Sequence, residues 1–172
     1  MVQFTDIQNT LNAAEGRDVL LLHLDGREVS LPPESELRFR QVLEYSGASM
    51  VYSHYNELLT DGSIEPHPCI EYQPGSLRDD FDFGSVVAVN AGALREAAVS
   101  LAVDNYADGG WYALRLALSQ WGRGLLLCRE YFILRPGQTT GRPGRSSMIM
   151  LIPDVVTIKF AWKEYVHVIL NQ

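Results

Sequence analysis

Three short and almost wholly apolar runs punctuate this chain: Asp18-Val-Leu-Leu-Leu-His-Leu24, Ala48-Ser-Met-Val-Tyr-Ser53 and Ser85-Val-Val-Ala-Val89. A strand-length run without polar alternation offers no face to water, so both of its faces must be covered. Between the runs lie segments with helical spacing. Phe4, Ile7, Leu11 and Ala14 fall three and four apart, with Thr5 or Asp6 as cap and Gly16 as stop. Pro32-Pro33 opens a helix over 34–45, whose buried side draws on Leu37, Val42 and Leu43 and which Gly47 ends. Further helices are predicted over 91–101 and 111–120, the second closed by Gly122, and 125–128 and 131–134 read as closing strands. Alternation of this kind predicts an α/β fold, a mostly parallel sheet flanked by helices.

Two stretches break the pattern. Residues 56–82 hold Asp61-Gly62, Pro66, Pro68, Pro74 and Gly75 and read as a long irregular loop, with room for a hairpin. Beyond Arg135 a turn-rich linker leads to apolar, β-branched segments at 148–152 and 155–169. The organisation is therefore an α/β domain over 1–135 and a linker with a strand-rich apolar extension over 136–172, packed on the same domain. A chain of 172 residues suits one domain.

The charge balance narrows the partners. Fourteen basic against 21 acidic residues give a net charge of −7, which repels nucleic-acid backbones, and Arg142 and Arg145 are too few to reverse that. The two cysteines, Cys69 and Cys128, are far apart and read as buried thiols of a reducing compartment. Two acids precede any apolar run, unlike a signal peptide, and no stretch approaches a membrane span. The expectation is a cytoplasmic protein with no transmembrane segment.

The succession of strand, Asp-containing turn, helix, strand, acidic loop and Arg-bearing helix resembles the family 2 glycosyltransferases of the GT-A fold. In that family a helix with an Asn-rich start precedes a strand ending in Asp-x-Asp; here Asn9-Thr-Leu-Asn-Ala-Ala-Glu-Gly16 leads into the strand that ends at Asp25. A bacterial branch is closer, with segments similar to Tyr52-Ser-His-Tyr-Asn-Glu57, Pro66-His-Pro68, Trp111-Tyr-Ala-Leu-Arg-Leu-Ala-Leu-Ser119 and, most specifically, Gly75-Ser-Leu-Arg-Asp-Asp-Phe-Asp-Phe-Gly84. The likeness covers roughly residues 5–135. The chain departs from it in three ways. Nothing before the first helix corresponds to the family's nucleotide-binding strands, Arg27 stands where the second Asp of Asp-x-Asp would be, and Asp108-Gly109 stands where the family has Glu-Asp. The resemblance thus implies a partial GT-A domain, shortened at its N-terminus.

It also implies a reaction: transfer of a sugar from a nucleotide-diphosphate sugar to a carbohydrate acceptor hydroxyl, with inversion. Such chemistry must stabilise the departing diphosphate and remove the acceptor's proton. For the first task the resemblance implies a magnesium or manganese ion on Asp25; a guanidinium, Arg27, is the alternative clamp, with Arg78 a further phosphate-binding candidate. For the second, Asp79, Asp80, Asp82 and Asp108 are the candidate bases. The bland readings stand beside these. The acidic cluster also fits a solvated loop, Asp108 a helix cap, and the tyrosines around the second strand a core. Asp82-Phe83-Gly84 lacks every other kinase element, and the four histidines lack zinc spacing. The rival class is a non-catalytic interaction domain derived from such a transferase, paired with a second copy or a partner subunit.

Overall fold

The apolar runs form the middle of a sheet, and the computed structural model describes residues 1–5, 7–101 and 110–137. In chain order the elements are β1 (Val2–Gln3), α1 (Ile7–Ala13), β2 (Val19–His23), α2 (Pro33–Ser46), β3 (Met50–Leu58), β4 (Ile64–His67), β5 (Val86–Asn90), α3 (Ala91–Ser100), α4 (Gly110–Ser119) and β6 (Leu125–Pro136). The fold is α/β, a six-stranded mixed sheet flanked by helices, in the order β1-β2-β5-β3-β4 with β6 on the remaining edge of β3.

The sheet is mixed rather than mostly parallel. β1 runs parallel to β2 and β6 parallel to β3, whereas β5 is antiparallel to both β2 and β3, and β4 is antiparallel to β3. The reason lies in residues 59–85, which carry a short strand and no helix. Returning a chain to the start of a neighbouring parallel strand takes a crossover, usually a helix. Without one, the chain re-enters the sheet at the end where β3 left it, and β5 runs the other way. Burial on both faces holds as expected: β2 and β5 are each buried at four successive positions.

Residues 56–82 are only partly irregular. β3 runs on through Asn56–Leu58 and turns back into β4, pairing Tyr55 with His67 and Leu58 with Ile64. The two closing strands predicted over 125–134 are one, β6, whose register on β3 shifts on either side of His54. Such bulges bend a strand and raise its twist. β6 occupies one edge of β3 throughout, so the other edge is shared: Met50–Tyr52 pair with β5, and from Tyr55 onward the edge passes to β4.

α2 buries the i,i+4 line Ser35, Phe39 and Leu43 against β3, β5 and β6, while Leu37 is 58% exposed and takes no part in the core. Phe39 meets the Phe132 ring edge-on at 5.0 Å. A fully buried side chain of this size contributes roughly 1.5–3 kcal/mol. Gly47 ends α2 in the left-handed conformation, as its position predicts. Gly122 approaches it so closely, at φ +57°, that a Cβ would lie 2.7 Å from the Gly47 carbonyl oxygen. α1, α3 and α4 pack on one another, with Leu94, Leu114 and Leu118 wholly buried, and Asn90 accepts the Ala93 N–H to cap α3 at 2.9 Å. No helix among the described residues is long and apolar enough to cross a membrane. Of the predicted 136–172 segment only Pro136 and Gly137 are described, and Asp108 also lies outside the described residues.

Tyr52 ties the loop after β4 to the sheet. Its buried phenol donates to the Ile70 carbonyl and accepts the Tyr72 N–H, both at 2.7 Å. Tyr52→Phe leaves both backbone groups without that partner and is expected to cost about 1–3 kcal/mol. The check is the urea midpoint together with proteolysis within 68–82; an unchanged midpoint and an uncut loop would mean that the phenol anchors nothing.

Candidate functional site

Strand directions bring four segments to one rim. The C-terminal ends of β2, β3 and β6 lie together there, beside the segment that leads into β5, because His23 pairs with Val86 and Glu57 with Arg135. Asp25 follows β2, and Asp82 and Ser85 precede β5. Gly84 admits this segment beside β3: at φ +72°, a Cβ there would sit 3.3 Å from the Tyr55 ring and 3.5 Å from the Ser53 carbonyl oxygen.

Arg135, 9% exposed, is the hub. Its Nε donates to Glu57 Oε1 at 2.8 Å and Nη2 lies 2.7 Å from the same oxygen; Nη2 also donates to Tyr55 Oη at 2.6 Å and Nη1 to Ser85 Oγ at 3.3 Å. Each hydroxyl donates a hydrogen bond to an acid, Ser85 to Asp25 Oδ2 at 2.8 Å and Tyr55 to Asp82 Oδ2 at 2.9 Å. Asp82 Oδ1 accepts the Gly84 N–H at 2.8 Å. Asp25 and Asp82, distant in sequence, thus belong to one hydrogen-bonded system. Two histidines flank it: His23 Nε2 lies 3.4 Å from Asp25 Oδ1, and His67, its ring stacked on Tyr55, places Nε2 3.2 Å from Glu57 Oε2. Both nitrogens are buried without a hydrogen bond, facing a carboxylate off the bonding line. Burial, reinforced by the Asp82 carboxylate, raises the Tyr55 phenol well above its ordinary pKa.

The other predicted residues separate. Arg27 pairs with Asp25 through Nε at 3.4 Å and donates its backbone N–H to Asp25 Oδ1 at 3.2 Å. Arg78 and Asp80 form an exposed pair with each other at 3.1 Å. Asp79 turns to a second cation: its carbonyl accepts from Arg115 Nη2 at 3.4 Å. Arg115 is 3% exposed and lies 5.4–5.6 Å from the Phe83, Trp111 and Tyr112 ring centres, and its Nε has no hydrogen-bond partner. Burial lowers its pKa, with Asp79 opposing. Outside the rim, His54 is structural, accepting the Cys69 N–H at Nδ1 at 3.0 Å.

Sequence reasoning passed over Glu57, Ser85 and Arg135. The available signal was charge inside apolar runs: Glu57 follows an apolar strand and Arg135 ends Tyr131-Phe-Ile-Leu134. Charges so placed are seldom buried unless paired.

The donor set does not fit a divalent cation on Asp25. Such an ion takes open carboxylate oxygens, and adjacent fixed cations repel it. Both oxygens of Asp25 already accept hydrogen bonds, and Oδ2 has two guanidiniums near it, Arg27 at 3.4 Å and Arg135 at 3.8 Å. Glu57 is held by Arg135, and Asp82 by Tyr55 and Gly84. Among the described residues no group of three or more His, Cys, Asp or Glu side chains is placed to hold a metal. A shallow groove of about 570 Å³ between Leu11, Arg17, Asp18 and Arg95 lies at the opposite, N-terminal end of β2 and shares no residue with the rim. No family model matches the chain, and no curated protein sequence matches it.

Proposed function

We propose that the chain is a glycosyltransferase-like protein acting at this rim, transferring a sugar from a nucleotide-diphosphate sugar to an acceptor hydroxyl with inversion. One observation carries the reading: Asp25 and Asp82, the acids that the resemblance singles out in two separate motifs, join one system at the C-terminal ends of β2, β3 and β6. Open α/β sheets bind ligands at that end of their strands. In this reading the acceptor oxygen forms the new bond to the anomeric carbon as the bond from that carbon to the diphosphate oxygen breaks. Asp82, exposed on one side and fixed by Tyr55 and Gly84 on the other, takes the hydroxyl proton. Arg27 and Arg135 bring positive charge to the rim where the diphosphate departs. Buried free thiols at Cys69 and Cys128 suit a cytoplasmic setting.

The second reading, a non-catalytic interaction domain, has the completeness of the network in its favour: Asp25, Glu57 and Asp82 all have internal partners. Thermal unfolding of the full chain with UDP- and GDP-sugars separates the two. A donor at a hundred times its Kd stabilises the protein by about 2.7 kcal/mol, which is roughly 5–10 °C for a domain of this size. The transferase reading expects such a rise with one donor, and sugar transfer that Asp82→Ala abolishes. No rise with any donor, and no transfer, leaves the interaction domain.

A further inference from the structure

The misfit between Asp25 and a metal ion raises the question of what meets the donor's diphosphate. The three carboxylates of the rim are compensated from within. Asp25 accepts from Ser85 and the Arg27 N–H, Glu57 is bound twice by Arg135, and Asp82 is held by Tyr55 and Gly84. Arg135 is equally committed, since all three of its nitrogens reach Glu57, Tyr55, Ser85 or Asp25 and its side chain is nearly buried. Arg27 differs. Its side chain is 37% exposed, its one polar side-chain contact among the described residues is Nε with Asp25 at 3.4 Å, and neither terminal nitrogen has a hydrogen-bond or ion-pair partner there. With the unpartnered nitrogens of His23 and His67 buried, the solvent-facing spare donors at this rim are those of Arg27, which sits where the resemblance would have put a second metal-binding acid.

Resting on the transferase reading, we infer that the rim takes the diphosphate directly on the Arg27 guanidinium without a bridging divalent cation, and that Asp25 is the buttress orienting that guanidinium. A guanidinium presents planar paired donors that match phosphate oxygens. Asp25 holds the Nε side of the fork and fixes the backbone of Arg27, which leaves the terminal nitrogens for the ligand. Ser85 and Arg135 hold Asp25 from behind, so the clamp stands on the buried network.

The two arrangements differ in sign at Asp25. If Asp25 binds a metal, Asp25→Asn abolishes diphosphate binding together with any manganese dependence. If Asp25 is a buttress, an amide oxygen in the place of Oδ2 still accepts from Ser85 and still faces Arg27 Nε, only the bond from the Arg27 N–H to Oδ1 is given up, and a negative charge near the ligand is gone. The experiment measures binding of inorganic pyrophosphate, UDP and GDP to the full chain by calorimetry, in EDTA and then in manganese. In EDTA, binding is expected for pyrophosphate as well as for a nucleoside diphosphate, which places recognition on the phosphates rather than the base. Arg27→Ala is expected to weaken it about tenfold or more, the loss of charge-assisted hydrogen bonds, with Arg27→Lys in between. Asp25→Asn is expected to hold or tighten it. As a readout independent of that variant's folding, the free manganese signal in electron paramagnetic resonance is expected to be the same with and without wild-type protein. Binding that requires manganese and disappears in Asp25→Asn overturns the inference and leaves the transferase reading standing. Binding indifferent to Arg27→Ala also overturns it. Absence of binding by pyrophosphate and both nucleotides, with manganese or without, overturns the inference and the reading together.

Discussion

Replacing Arg135 by methionine is expected to destabilise the protein by about 3–5 kcal/mol, the cost of stranding a buried charge by removing its partner. The substitution keeps most of the volume and removes the cation. Glu57, 9% exposed, is left with His67 alone, and the Tyr55 and Ser85 hydroxyls each lose a donor. For a domain of this length that corresponds to a fall in Tm of roughly 6–20 °C. The double variant Arg135→Met with Glu57→Gln separates charge from packing. Because the stranded carboxylate is then gone, the double variant is expected to be more stable than Arg135→Met alone, a coupling visible in urea titrations. If the two losses simply add, the pair contributes packing and no electrostatic coupling.

Alkali is expected to unfold the protein well before neutral-pH stability would suggest. Burial pushes the Cys69 thiol up to about 12 and the Cys128 thiol up to about 11, with nearby Asp82 and Glu130 adding to it. Burial likewise raises the Tyr52 and Tyr55 phenols. In each case the folded state keeps a proton that the unfolded chain gives up at its ordinary pKa. The contribution of these groups to stability is therefore intact below about pH 9 and is lost as pH climbs from there toward the folded-state values. Each fully engaged group contributes up to about 1.4 kcal/mol per pH unit, so the two thiols and two phenols together give a slope on the order of 4 kcal/mol per unit between pH 10 and 11, where the unfolded phenols and the folded Cys128 thiol are themselves titrating. Urea midpoints at pH 8, 9, 10 and 11 measure the slope, and phenolate absorbance at 295 nm identifies the groups. Part of that absorbance, and reaction of the thiols with Ellman's reagent, should appear only with unfolding. Full phenolate titration of the folded protein near pH 10 would contradict the burial assigned to Tyr52 and Tyr55.

The sequence was a good guide where local physics decides. Strands β2, β5 and the first half of β3 stand out as continuous apolar runs, and Gly47 and Gly122 mark the ends of α2 and α4 because the chain there needs left-handed backbone. Strand direction was not legible, since burial on both faces depends on helices lying above and below, whichever way a strand runs. The relevant signal was negative, the lack of any helical stretch between β3 and β5. Leu37 misleads for a similar reason: three-residue spacing admits several helical faces, and only the partner strands select the one through Phe39. At the rim, Asp25 and Asp82 were marked by motif, and Arg27 by its place after the first acid. Glu57 and Arg135 were not, because a cross-strand pair is defined by register, and the register of β3 on β6 depends on shifts around His54 that no local pattern announces. Asp79, Asp80 and Asp82, alike in the sequence, take three directions once the loop is folded.

The handover of one β3 edge from β5 to β4 has a consequence for how the molecule breathes. β4 hydrogen-bonds only to the distal half of β3 and is largely exposed, while β2, β5 and the proximal half of β3 form the buried middle. β4 is thus able to detach from β3 in a sub-global opening that costs far less than unfolding the domain. When it does, His67 leaves Glu57 and one side of the charged rim is uncovered, while its other members keep their places. A rim with one side less firmly anchored than the rest can open there while the buried groups behind it stay in register.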